Sequence, residues 1–477
     1  MSEPPADALS ALRDIVGGES LLTCAADVAP YCVDQHGRVH GKALAVALPS
    51  STAQVSALLR HCHANRVAVV PQGGNTGYCA GATPDASGHQ LVIALARLNA
   101  VREIDAANFT VTVEAGCVLE RLHELCAAAG RFFPLSLGSS GSCQIGGNLA
   151  TNAGGLNVLR YGVARDLALG LEVVLADGTI VSDLRGLRKN NAGYDLRNLF
   201  IGAEGTLGII TAATLKLFPV PAQQISALVA VRDVAAAVEL LAQLRVASGD
   251  DINGFELLPG RAIDMVRQHL PGPWPSFEAG EQWFVLVELS STRQGTDLKE
   301  VLTGGLEPAL EAGIATDAIV AQSESQRQAL WRLRESIPAA QRRAGYSLRH
   351  DISVPISRLA QFVESATDDV RHAAPGLELV CYGHVGDGNL HFNLLAKDAD
   401  IAQPEAATLT RLIHDRVAAL GGSFSAEHGI GQTKLEELLR YAAPTRIRLM
   451  REIKVMLDPR GIMNPGKVLQ APAANPP

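Results

Sequence analysis

Three glycine-rich segments dominate the first half of the chain. They are PQGGNTG (71–77), GSSGSCQIGGNLATNAGG (138–155) and GAEGTLGII (202–210). The first follows the strand-like run VAVVP. Glycine lets one backbone approach another closely, and successive N–H groups in such a loop form a nest for an anion. One loop alone reads equally well as a structural turn. Three in one domain imply an extended, phosphate-bearing ligand lying against backbone, with the amides and hydroxyls of Asn148, Thr151 and Asn152 supplying hydrogen bonds. No GxGxxG fingerprint follows the first strand, so a Rossmann-type nicotinamide cofactor is not supported.

A chain of 477 residues, 47% hydrophobic and 19% charged, is globular and too long for one core. Short strands and helices alternate from residue 43 to a proline-marked boundary near 219. From about 225 the runs ALVAV, WFVLVELS and LELVCYGHV, with helices between them, predict an antiparallel sheet covered by helices on one side. The expected organisation is a segment 1–39, a ligand domain 40–219, a second domain 220–420 and a helical segment 421–477. A net charge of -8 argues against nucleic acid. The eight cysteines form no CxxC pair, which suits a reducing cytoplasm. The N-terminal MSEPPADALS lacks the apolar core of a secretory signal, and no apolar run is long enough to span a membrane. The short tail APAANPP is low in complexity.

The stretch CYGHVGDGNLHFNLL (381–395) holds two histidines around Asp387-Gly388, a strong two-residue hairpin signal. Centring the turn there puts Gly386 opposite Asn389, Val385 opposite Leu390 and His384 opposite His391. Asn393, two residues on, shares that face. The pair is either a metal site or two histidines satisfied by hydrogen bonds beside a buried sheet.

The three loops in this order, with IGGNLATNAGG, RYG, GLEVVLADGT, LRKNNAGYDLRNLFIGAEGTLGIIT, YGHVGDGNLH, AEHGIG and MNPGK, resemble the vanillyl-alcohol oxidase superfamily. The similarity is to the FAD-linked branch holding D-2-hydroxyglutarate, D-lactate and glycolate dehydrogenases, and runs from about residue 40 to 468. It implies an α+β chain: an FAD-binding domain of the vanillyl-alcohol oxidase type, an antiparallel-sheet substrate domain and a C-terminal helical cap. Pro71, Gln72, Gly73, Gly74, Asn75, Thr76 and Gly77 would hold the pyrophosphate. Leu137, Gly138, Ser142, Gly146, Gly147, Asn148, Thr151, Asn152, Gly154 and Gly155 would line pyrophosphate and isoalloxazine. Gly205, Gly208 and Ile210 would face the adenosine half, and Asn464 of MNPGK completes the cofactor set. The first loop lacks the histidine that tethers flavin in some relatives, so non-covalent FAD is expected and Cys79 reads as a packed residue.

FSAEHGIG adds Glu427 and His428. A lone Glu-His pair is often solvated; with the hairpin, His384, His391 and Glu427 make a two-histidine, one-carboxylate site. Such a site suits Zn²⁺, with Mn²⁺, Co²⁺ and Fe²⁺ open, and the resemblance implies the same three residues. A 2-hydroxy acid chelated there would lose its hydroxyl proton to His428, the expected general base, and its C2 hydride to flavin N5. Arg334, in the family's WxLRE pattern, would grip a substrate carboxylate, and Asn393 would face the substrate. Arg349 stands where the family commonly has lysine, and Pro338 where threonine is frequent. Charge is kept at Arg349 but donor geometry changes. The expectation is oxidation of D-2-hydroxyglutarate to 2-oxoglutarate, with D-lactate, D-malate or glycolate, or a non-catalytic flavin subunit, as alternatives. An electron-transfer flavoprotein or quinone would take the electrons, and a homodimer is open.

Overall fold

The computed structural model describes residues 6–397, 401 and 403–470; MSEPP and the tail APAANPP lie outside them. The chain divides into two units. Unit 1 comprises residues 1–154, 163–220 and 427–477, and unit 2 comprises 155–162 and 221–426.

The first sheet of unit 1 contains β1 (Leu21–Leu22), β2 (Ala43–Ala47), β3 (Val69–Gln72) and β4 (Gln90–Ala94), in the order β1-β2-β4-β3. The pairs β2/β4 and β3/β4 are parallel, while β1 runs antiparallel to β2. The crossover helix Thr52–Asn65 starts at Ser51, whose side chain accepts from Gln54 N–H, and stops at Arg66 in the left-handed conformation. Its Val55, Leu58, Leu59 and Cys62 are fully buried in the core formed with Leu91, Ile93 and Met463. Each such leucine stabilises the fold by roughly 1.5–3 kcal/mol. The C-terminal segment returns to this sheet: Val69 N–H donates to Ile462 O, and Asn464 N–H to Val69 O, both at 2.8 Å.

The second sheet of unit 1 is wholly antiparallel. It contains β5 (Val101–Asp105), β6 (Thr110–Glu114), β8 (Ala168–Val174), β9 (Ile180–Asp183) and β10 (Ile209–Lys216), ordered β5-β6-β10-β8-β9. A two-stranded ribbon joins β7 (Arg131–Phe132) to β11 (Phe218–Pro219). β8 and β9 form a hairpin whose turn carries Asp177-Gly178, with Gly178 at φ 86°.

Unit 2 holds β12 (Gln223–Val231), β13 (Ile252–Pro259), β14 (Trp283–Ser291), β15 (Ala315–Val320), β16 (Tyr346–Leu348), β17 (Asp351–Ser353), β18 (Glu378–His384) and β19 (Asn389–Ala396). All pairs are antiparallel, in the order β15-β12-β14-β13-β18-β19-β16, with β17 also on β19. Helices cover both faces, not one. Helices Val234–Ser248, Leu298–Glu311, Leu359–Ala373 and Gln403–Ala419 pack against one side. Gly260–His269 and Glu324–Ala344 pack against the other. The strands ALVAV and FVLV are continuous apolar runs without alternation, which is what burial on both faces requires.

Candidate functional site

The loop glycines of unit 1 fall into two kinds. Some allow the backbone to pack closely against a neighbouring segment. A Cβ on Gly74 would lie 2.1 Å from Ser142 O, one on Gly146 2.6 Å from Ala115 Cβ, and one on Gly205 2.9 Å from Pro71 Cγ. The Gly74 and Gly205 contacts hold the loops onto one another, and the Gly146 contact holds the second loop onto Ala115 at the end of a strand. Others open outward: a Cβ on Gly77, Gly138 or Gly147 would meet nothing within 4 Å. Locked loops with open glycines make a cradle in which a flat ligand reaches the main chain. Left-handed Asn75, Asn152, Glu204 and Asn464 (φ 42–52°) add uncommon backbone geometry around it.

The side-chain amides also hold the loops together. Gln72 donates to Tyr31 O and Ala82 O, and Asn75 to Val33 O. Asn152 Oδ1 accepts from Arg165 N–H, and Asn464 Nδ2 donates to Gly81 O and Glu204 O. Thr151 Oγ donates back to Gly147 O. These groups brace the loops from within. Gln144 Oε1 and Asn464 Oδ1 are buried with no hydrogen-bond partner among the described residues, acceptors that a ligand donor would satisfy. The cradle and these acceptors fit a flavin dinucleotide.

Glu204 ties this cradle to AEHGIG. Its two carboxylate oxygens accept from Ile430 N–H at 2.7 Å and Gly431 N–H at 2.8 Å. Burial pushes its pKa up, outweighing these bonds. Gly429 and Gly431 are both left-handed, and a Cβ on Gly431 would lie 1.9 Å from Cys79 O. Cys79 is buried and donates to Gly429 O. The turn so fixed carries His428, whose imidazole stacks on Tyr78.

In unit 2 the histidine hairpin differs from expectation by two residues. Tyr382, not His384, is opposite His391. The loop is Val385–Gly388: of the expected turn pair only Gly388 has positive φ (83°), so Asp387-Gly388 is not a type I′ turn. A shift of two preserves parity, so both histidines still share a face. They are diagonal neighbours with ring centroids 6.1 Å apart.

The register places Glu256 of β13 opposite His384. Glu256 is 1% exposed. His384 Nδ1 donates to its Oε1, and Arg334 Nε donates to its Oε2 at 2.7 Å. Burial would push the Glu256 carboxyl up, but His384 and Arg334 outweigh it and bring it down to about 2. With Nδ1 carrying the proton, Nε2 is the nitrogen whose lone pair suits a cation. An oriented imidazole and a second on the same face fit a divalent metal. Sequence reasoning missed Glu256; a lone carboxylate inside the apolar run FELLP was its signal.

Arg334 also lies over the Tyr382 ring, 4.9 Å from its centroid, and Tyr382 contacts His391 at 5.0 Å. Asn393 is 2% exposed: its Nδ2 donates to Gln341 Oε1, and its Oδ1 accepts from His350 N–H. One end of that amide ties to the backbone beside the sheet and the other to the helix Glu324–Ala344. Arg349 falls between β16 and β17, and their common register puts it opposite Asn393. Ala426 N–H donates to Asp351 O, and Asp351 is the cross-strand partner of His391; Glu427 is the next residue. Pro338 sits inside the helix Glu324–Ala344.

Residues 43–183 match the FAD binding domain family, and residues 220–468 match the C-terminal domain of FAD linked oxidases. Mitochondrial D-2-hydroxyglutarate dehydrogenase of Bos taurus is 39% identical over 97% of this chain and 83% of the relative. D-2-hydroxyglutarate dehydrogenase of Xanthomonas citri pv. viticola is 37% identical over 96% of both. Among solved structures, alkyldihydroxyacetonephosphate synthase (TM-score 0.75, 19% identity) covers 97% of this chain and 87% of its own. A p-cresol methylhydroxylase (TM-score 0.74, 18% identity) covers 97% and 96%. These two show the fold. The chain is therefore an FAD-linked oxidoreductase with an α+β fold of the vanillyl-alcohol oxidase type, and it belongs to the D-2-hydroxyglutarate dehydrogenase family.

Proposed function

We propose that the protein oxidises a D-2-hydroxy acid, foremost D-2-hydroxyglutarate to 2-oxoglutarate, with non-covalent FAD and a divalent metal, Zn²⁺ first among them. The observation that carries the metal part is the buried Glu256 fixing the tautomer of His384 on the face that also bears His391. Glu427 is the third ligand. Its support is chain continuity: Ala426 is bonded to the partner strand of His391, and one peptide unit spans only about 3.8 Å between Cα atoms.

Bound FAD supplies the hydride acceptor, and the cation supplies charge stabilisation for the developing alkoxide. The chain does the rest. His428 takes the hydroxyl proton; Arg334, held at Nε by Glu256, offers its guanidinium to a carboxylate. Arg349 reads the distal carboxylate of a diacid. Electrons leave to an electron-transfer flavoprotein or quinone, and the setting is the cytoplasm, consistent with seven of eight cysteines being buried thiols. Among the described residues no helix is long and apolar enough to cross a membrane. A flavin subunit without its own catalysis would have no use for both histidines and the Glu-His pair together.

The test is a steady-state panel of D-2-hydroxy acids with an artificial electron acceptor. D-2-Hydroxyglutarate should give the highest kcat/KM and 2-oxoglutarate as product. Preference for D-lactate, D-malate or glycolate would replace the substrate, and no turnover of any would refute the reading.

A further inference from the structure

We propose that Glu256 is a positioning residue shared by two parts of this site, fixing His384 as an Nε2 donor and holding Arg334 in the same frame. The inference rests on the metal reading above. Glu256 and His384 are direct cross-strand partners, so their side chains leave the sheet side by side. Arg334 arrives from the helix Glu324–Ala344 and takes the other carboxylate oxygen. One carboxylate thus spends both oxygens on two different functional groups. Tyr382, two residues before His384, lies under the Arg334 guanidinium and beside His391. The frame therefore runs from His384 through Glu256, Arg334 and Tyr382 to His391, all nearly buried except His391. A buried carboxylate with both oxygens engaged has no solvent-exposed alternative, so neither group can shift without the other. Metal retention and carboxylate recognition are coupled through it.

The experiment uses the FAD-loaded protein dialysed against buffered free Zn²⁺, reading zinc per FAD by elemental analysis beside kcat and KM. Glu256→Gln offers one acceptor and one NH₂ group where two donors point in, so zinc binding should weaken about 10–100-fold at unchanged FAD content. Glu256→Asp keeps the charge and should recover part of that loss. Arg334→Gln is decisive if Glu256→Gln does not accumulate as folded protein. Arginine is no metal ligand, yet loosening Glu256 should weaken zinc several-fold and raise KM; an arginine that only reads substrate would raise KM and leave zinc unchanged. Parental zinc affinity in either variant overturns the shared frame. His384→Ala separates the two readings. If it retains zinc, the metal assignment itself falls; if it loses zinc while Glu256→Gln and Arg334→Gln keep it, only the role of Glu256 falls.

Discussion

The phenol ring of Tyr78 lies on the imidazole of His428, with centroids 4.4 Å apart and planes 24° from parallel. His36 approaches the same tyrosine at 4.7 Å. The stack sets the plane of the proposed base, and such ring pairs contribute about 0.5–1.5 kcal/mol. Tyr78→Ala should therefore lower kcat roughly two- to tenfold with little change in KM. Tyr78→Phe keeps the ring and should keep the rate. A rate lost equally in both variants would assign the effect to the hydroxyl instead.

His391→Ala should cut turnover by at least about a hundredfold, the equivalent of ~2.7 kcal/mol, while FAD stays bound. The proposed flavin cradle lies in unit 1 and His391 in unit 2, so flavin content and metal content should respond separately. Chelator treatment should reproduce the loss in the parent, and a divalent ion should reverse it. Absorbance of the bound flavin and elemental analysis read the two quantities on one sample.

Much of this was legible in local pattern. VAVVP, ALVAV and WFVLVELS announced their strands, and the glycine-rich loops pointed to the FAD binding domain that the family match shows. Face parity of His384 and His391 survived because a two-residue and a four-residue turn differ by an even number. The register itself did not, since it depends on whether Asp387 accepts a positive φ, and it keeps a negative one. Glu256 was hidden because its meaning comes from His384, 128 residues away. That the amides of Gln72, Asn152 and Asn464 also tie the loops together was not legible, because sequence does not reveal which backbone carbonyls and N–H groups need partners.

Glu204 accepts two main-chain N–H groups from the turn that carries His428. Glu204→Gln would turn an NH₂ group toward one of them. Leaving a buried donor unsatisfied costs about 1–3 kcal/mol, so the melting temperature should fall by several degrees. Activity should fall as well, through a displaced His428, and flavin should release at lower temperature than in the parent. Thermal melts followed by flavin fluorescence check this.

Lys467 is 3% exposed, and burial pushes its ammonium down to about 8 against the pull of Asp85. In the unfolded chain lysine titrates near 10.4. Between these values the unfolded chain binds more protons than the folded one, so stability rises with pH across that window. Below pH 8 that contribution is gone. Lys467→Met has no such dependence. The difference in melting temperature, variant minus parent, should be largest at pH 7 and shrink toward pH 10; a flat difference would show that folding leaves the Lys467 pKa unshifted.

Arg349 shares the sheet face of His391 through its register position opposite Asn393. Asn393 engages both ends of its amide inside the protein, and in the proposed function discrimination among acids falls to the arginine. A charge-assisted hydrogen bond contributes about 1.5–3 kcal/mol. Arg349→Ala should therefore reduce kcat/KM for D-2-hydroxyglutarate roughly ten- to hundredfold and leave D-lactate, which has no second carboxylate, nearly unaffected. Arg349→Lys restores the charge but not the planar fork, and should recover part of the diacid rate. Equal losses on both acids would move Arg349 from the distal carboxylate to the carboxylate that every 2-hydroxy acid carries.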